Sequence, residues 1–129
     1  MILIIGGAYQ GKTEYARSLG ISDICDGASE DIYRVWEHSA VNNFQILVKR
    51  QLEAGLDSLE EAERLLQKNP DIVIISTEIG GGIVPIEKSE RLWRETVGKV
   101  CCYLARKSSR VVRVICGIPT IIKETGDNN

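Results

Sequence analysis

The stretch Gly6-Gly7-Ala8-Tyr9-Gln10-Gly11-Lys12-Thr13 has the spacing G-x-x-x-x-G-K-T, and these residue types suit one task, the holding of a polyphosphate. Gly6 and Gly11 let the backbone turn tightly, so that successive N–H groups converge on the anion. Lys12 reaches the β and γ phosphates, and the Thr13 hydroxyl can ligate Mg²⁺. A helix starting near Gly11 points its positive end at the same anion. The apolar run Met1 to Ile5 before the loop and the amphipathic segment Thr13 to Leu19 after it supply the strand, turn and helix that this chemistry needs. The ligand expected from these residues is a nucleotide, GTP or ATP, with Mg²⁺.

Other residues could act beside the loop. In open α/β sheets ligands bind beyond the carboxyl ends of the strands. Three segments are therefore expected to meet the nucleotide: the loop, Asp26-Gly27, and Thr77-Glu78 through Gly82. Asp26 and Glu78 each stand where a carboxylate can hold Mg²⁺, directly or through water, or orient an attacking hydroxyl. The plainer readings are a turn residue before Gly27 and a solvated loop charge. Arg94 reads either as a phosphate clamp or as a helix-surface cation. His38 is the only histidine, and beside Trp36 its plainer role is packing. Cys25, Cys101, Cys102 and Cys116 show no C-x-x-C spacing and read as buried, reduced thiols.

The elements that must position these groups follow from the apolar pattern. Ile21 to Asp26 is a candidate second strand. Val41, Phe44, Leu47, Val48 and Leu52 share one helical face, ended by Gly55. Ser58-x-x-Glu61 has the form of a capping box for the next helix, which Pro70 closes. Ile72-Val73-Ile74-Ile75 has no alternation, which marks a strand buried on both faces. Pro85 opens a long helix to about Lys107, and Arg110 to Cys116 is the last strand, followed by a short apolar coda. Strands separated by helices imply βαβ units. The expected fold is thus α/β, P-loop NTPase-like, with a small mainly parallel sheet of four or five strands flanked by helices. Residues 1–123 form one nucleotide-binding domain in this reading, and 124–129 a frayed tail.

Global properties narrow the partners. With 129 residues, 43% hydrophobic and 26% charged, the composition is that of an ordinary globular domain. A net charge of −2 gives no electrostatic case for nucleic acid or an anionic membrane. No apolar stretch nears the length of a membrane span, and the N-terminus lacks the features of a signal peptide. A cytoplasmic location is expected. Bulky apolar side chains on a small sheet suggest a homo-oligomer.

A family resemblance then emerges. Thr77-Glu78-Ile79-Gly80-Gly81-Gly82-Ile83-Val84-Pro85 is similar to the E-x-G-x-G-I-V-P signature of the adenosylcobinamide kinase and adenosylcobinamide-phosphate guanylyltransferase family, the CobU type. Arg94 and Gly98 fit the R-x-x-x-G of that family's next helix, and Cys116-Gly117-Ile118-Pro119 through Lys123 resembles its G-I-P-x-x-I-K ending. The resemblance implies a kinase that phosphorylates the terminal hydroxyl of the aminopropanol arm of adenosylcobinamide. It further implies transfer of GMP from GTP to that phosphate through a guanylylated histidine. By this carry-over the loop holds the triphosphate, Lys12 and Glu78 are catalytic, and His38 is the candidate guanylyl acceptor.

The chain is shorter than the usual member between the loop and Pro70. Two alignments stand. In one, Asp26-Gly27 and the Val41 helix replace the family's acidic D-C-L-T turn and the helix after it, and the histidine segment is deleted; in the other, His38 survives as acceptor. Cys101-Cys102 also departs from the family, which commonly has Asn-Gln there. Other readings are a small-molecule kinase without the nucleotidyl step, and a regulatory relative that binds GTP or ATP without turnover.

Overall fold

The computed structural model describes residues 1–79 and 87–125. In chain order these form β1 (Ile2–Gly6), α1 (Lys12–Ser18), β2 (Ile24–Asp26), a 3₁₀ turn (Val35–Glu37), β3 (Ala40–Asn42), α2 (Phe44–Glu53), α3 (Ser58–Lys68), β4 (Val73–Thr77), α4 (Lys88–Lys107), β5 (Arg110–Ile115) and β6 (Ile118–Glu124). The glycines and Pro85 of the E-x-G-x-G-I-V-P stretch lie outside the described residues.

One sheet of six strands runs in the order β2-β3-β4-β1-β5-β6. All neighbours are parallel except β5 and β6. The strand that carries the loop is therefore central, flanked by β4 and β5. Gly6 at its end is level with Thr77. Ile74 and Ile75 are fully buried on opposite faces of the sheet, which is why Ile72 to Ile75 carries no polar alternation. One face packs Leu3, Ile74 and Val111 against Phe44, Leu47, Ala62, Val100 and Leu104 of α2, α3 and α4. The other packs Ile4, Ile75, Val112 and Val114 against Ala16 of α1. Truncating a side chain such as Ile74 to alanine is expected to cost about 2–5 kcal/mol.

Several expectations are corrected. The sheet has six strands rather than four or five. One extra strand is β3: Val41 is buried by strand pairing with Cys25 and Ile74, and α2 starts only at Phe44. The other is β6, where the apolar coda forms an edge strand antiparallel to β5. Pro119 is compatible with an edge because its missing N–H leaves no inner ladder bond unmade. Cys116 (φ 51) and Gly117 (φ 77) form the two-residue turn between them.

The cap of α3 is Asp57, whose carboxylate accepts from the N–H groups of Leu59 and Glu60. Ser58 lies inside the helix, its buried hydroxyl without a partner among the described residues. All four thiols are free, but Cys25 alone is buried, while Cys102 and Cys116 are exposed. No described helix is long and apolar enough to cross a membrane.

Candidate functional site

The loop between β1 and α1 is shaped from below by the turn after β5. A Cβ on Gly6 would lie 2.5 Å from the Val114 carbonyl oxygen, and one on Gly11 would lie 3.2 Å from Gly117 Cα. No larger residue fits at Gly6 without moving backbone. Gln10 ties the two segments together: its carbonyl accepts from the Gly117 N–H at 2.9 Å and its side-chain oxygen from the Cys116 N–H at 2.5 Å. Tyr9 has φ 59, and its side chain stands fully in solvent. A left-handed residue within such a loop turns successive N–H groups toward a common concavity.

Lys12 is only 6% exposed. Its ammonium donates to the Gly7 carbonyl at 2.6 Å, which folds the side chain back over the loop. Burial lowers the pKa of this amine, and the nearby Glu78 carboxylate partly offsets that. A cation held at some desolvation cost gains when an anion reaches it.

Above the loop lies a cavity of about 450 Å³, lined by Ala8 through Glu14, Asn42, Asn43, Gln45 and Thr77. The far wall is thus made of carboxamides at the β3–α2 junction. Gln45 is buried, accepts from the Thr77 N–H at 3.0 Å, and is braced by the Trp93 indole, which donates to its carbonyl at 2.8 Å. Asn43, at φ 53, donates from its amide to Asp26 Oδ1 at 2.9 Å. Sequence reasoning missed Asn42, Asn43 and Gln45 because the start of α2 was set too early. The available signal was an Asn-Asn pair directly after an apolar residue, which suits a left-handed turn between strand and helix.

Glu78 follows β4 and its N–H donates to the Gly6 carbonyl at 2.8 Å. The structure thus brings Glu78 to the loop, as expected. It also adds Arg113 of β5, which sequence reasoning passed over. Arg113 holds Glu78 through Nε at 2.8 Å and Nη2 at 3.0 Å, a two-pronged grip that fixes the carboxylate plane.

Asp26 is placed elsewhere. β2 is an edge strand, three positions from β1, or about 14 Å at the usual strand spacing. Its Oδ1 accepts from the Asn43 amide and the Ala28 N–H, both at 2.9 Å, and these bonds, Asn43 first, hold the carboxyl below the ordinary carboxylate range. The strand that leads into α2 is β3, so Asn42-Asn43 and not Asp26-Gly27 occupies the turn that the first alignment made acidic. Asp26 is not among the residues that line the cavity over the loop.

Thr13 is at hand, since it lines the cavity. Mg²⁺ commonly takes one or two protein oxygens, several waters and substrate phosphates, and a lone threonine hydroxyl beside a phosphate cradle fits that pattern. Among the described residues no group of three or more His, Cys, Asp or Glu side chains could hold a metal by itself.

His38 is also set apart. It precedes β3, whose first residue Ala40 pairs with Val73, itself level with Ile2. The loop leaves from Gly6, four residues or about 13 Å further along the strand direction. Both ring nitrogens are engaged, Nδ1 with Asp23 at 2.8 Å and Nε2 with Glu30 at 2.6 Å. The Asp23 bond raises the imidazole pKa most, burial opposes it, and the Glu30 bond adds to the rise. In chain order His38 does lie between β2 and β3, where the second alignment expects the histidine. In space it is at the amino edge of the sheet, away from the phosphate loop.

A central parallel strand that ends in this loop, with helices on both faces, defines a P-loop NTPase-like α/β fold. Compared with known proteins, the chain matches the family model of cobinamide kinase / cobinamide phosphate guanyltransferase, CobU, over residues 34–122. It belongs to that family, a group of transferases of cobalamin biosynthesis. No curated protein matches it. The matched span contains His38, Glu78 and Arg113 but begins after the loop and Asp26, so the loop and the family match are independent observations.

Proposed function

We propose that the protein is a nucleotide-dependent adenosylcobinamide kinase that uses GTP or ATP with Mg²⁺. The single observation that carries this reading is the cavity over Ala8 to Thr13, with the buried Lys12 ammonium below it and the family's Glu78 bonded to the loop's first residue. The loop N–H groups and Lys12 bind the triphosphate and meet the charge that spreads over the transferring phosphoryl group. Thr13 holds the Mg²⁺, which neutralises phosphate charge when bound. Glu78, fixed by Arg113, stands beside the loop to orient the attacking hydroxyl. Positioning and charge neutralisation are the main contributions in phosphoryl transfer.

The guanylyl step is not part of this proposal, because both ring nitrogens of the sole histidine are bonded, to Asp23 and Glu30, ahead of the amino end of β3. Incubation with adenosylcobinamide and either γ- or α-labelled GTP tests the reading. Label from the γ position should reach adenosylcobinamide, dependent on Lys12, and no acid-labile α label should remain on the protein. Absence of γ transfer from GTP and from ATP would overturn it.

A further inference from the structure

A cavity of about 260 Å³ lies between α2, α3 and the 3₁₀ turn, and it shares no lining residue with the cavity over the phosphate loop. Phe44, Leu47 and Gln51 line it from α2, a spacing that sets all three on one helical face. Gln51 breaks the apolar stripe. It is 5% exposed, and its Oε1 has no hydrogen-bond partner among the described residues. Buried carbonyl oxygens are normally paired, and leaving one unpaired costs stability that a leucine or methionine at this position would not cost. Tyr33 and Trp36 add an aromatic wall at the 3₁₀ turn. Three charged residues also line the cavity, and each is engaged: Glu61 pairs with Arg64 at 2.5 Å, and the Lys68 ammonium sits 5.2 Å from the centroid of the Trp36 ring.

We propose that this cavity is a binding site for a small, uncharged, planar ligand that carries one N–H or O–H donor, of the heteroaromatic or phenolic class. The site is separate from the phosphate loop, and the inference does not depend on the kinase reading. Size sets the first limit: an apolar cavity of about 150 Å³ holds benzene, so this larger one holds one or two fused rings. The aromatic walls favour a flat body, which can stack on them or meet them edge to face. Charge is disfavoured, because the ions that line the cavity already have partners and Gln51 offers only a neutral group. The donor follows from Gln51, whose oxygen is the acceptor left without one. Its terminal torsion is soft, so the carboxamide can turn to meet the ligand.

Indole and indene test this, because the two share one shape and differ in a single group, N–H in indole and CH₂ in indene. Each should be titrated into the full chain and followed by protein-detected NMR, with and without a non-hydrolysable nucleotide analogue. The expected result is saturable binding with shifts centred on Trp36, Leu47 and Gln51, indole roughly tenfold tighter than indene, and no displacement by the analogue. Gln51→Leu removes the acceptor at similar size and should fold at least as stably as wild type. In it indole should lose about tenfold in affinity, while indene binds as well or better. Equal affinity of the two probes for wild type overturns the inference, and so does a preference for indole that survives in Gln51→Leu. Displacement by the analogue, or shifts centred on Ala8 to Thr13, overturns it by placing the probe at the loop. No saturable shift with either probe leaves the cavity to water and overturns it as well.

Discussion

Arg113 and Glu78 face each other across β1, joined by two hydrogen bonds of 2.8 and 3.0 Å although they come from strands on opposite sides of it. Both are partly exposed, so the pair is expected to add less than about 1 kcal/mol to folding. Its larger effect is on geometry, since it fixes the plane and position of the carboxylate of Glu78, whose backbone N–H is bonded to Gly6 of the loop. Arg113→Met should leave the melting temperature nearly unchanged and lower kcat roughly 10- to 100-fold, the scale of loss for a reacting group misplaced by about 1 Å. Arg113→Lys keeps the charge without the fork and should recover only part of the rate. Equal kcat in all three proteins would show that the reaction does not depend on the Arg113 grip on Glu78.

Lys12 and Glu78 are also coupled electrostatically. Burial lowers the Lys12 pKa and Glu78 raises it, so the ammonium needed for phosphate binding is favoured by the carboxylate. Nucleotide affinity should fall as pH rises through the lowered Lys12 value. In Glu78→Gln the raising influence is gone, and this alkaline fall should move to lower pH. Titrating the Kd of a non-hydrolysable analogue against pH in both proteins measures the displacement, and a fall at the same pH in both would sink the coupling. Lys12→Ala removes the charge itself and should weaken binding roughly 10- to 100-fold, as for loss of a hydrogen bond to a charged group.

The parts of the site that could be read in the sequence are those in which one local pattern has one structural outcome. The spacing from Gly6 to Thr13 and the unbroken Ile72 to Ile75 run are of this kind, and both landed where expected. Val41 shows why the rest was harder. Its spacing to Phe44, Leu47 and Val48 fits a helix face, yet its burial comes from strand neighbours Cys25 and Ile74, which no local window contains. The same holds for Asp26 and His38. Asp26 was read from its place at the carboxyl end of a strand, where it does lie, and His38 from the family resemblance, but neither reading contains the strand order that sets β2 at the edge of the sheet. Arg113 was invisible for the complementary reason, since nothing in Arg110 to Ile115 announces a partner 35 residues earlier.

The His38 cluster gives a pH signature independent of activity. His38 has a raised pKa in the folded protein, so its contribution to stability is complete below the ordinary histidine value of 6.5 and is lost as pH rises through the raised one. Asp23 and Glu30 have lowered values, so their contributions are present above the ordinary 3.8 and 4.5 and are lost as pH falls through the lowered ones. All three groups therefore contribute together between 4.5 and 6.5. His38→Ala should lower the melting temperature in that window and change it little at alkaline pH. Kinase activity normalised to folded protein should be unaffected, and a selective loss of transfer would return His38 to the site.

The turn under the loop can be tested by glycine replacement at two depths. At Gly117 a Cβ would meet nothing within 4 Å, but φ is +77, so Gly117→Ala should cost about 1–2 kcal/mol of backbone strain and leave the loop formed. At Gly6 a direct contact decides the outcome, because a Cβ would sit 2.5 Å from the Val114 carbonyl oxygen. Neither β1 nor β5 can yield without breaking their ladder, so Gly6→Ala should displace the loop and its Lys12 anchor at Gly7. Thermal melts and nucleotide titrations separate the two. Gly117→Ala should melt earlier yet bind with near-normal affinity once folded. Gly6→Ala should lose binding even at temperatures where circular dichroism shows an intact fold. If Gly6→Ala binds normally, the loop does not depend on the close approach of β5, and the role given to the β5–β6 turn falls with it.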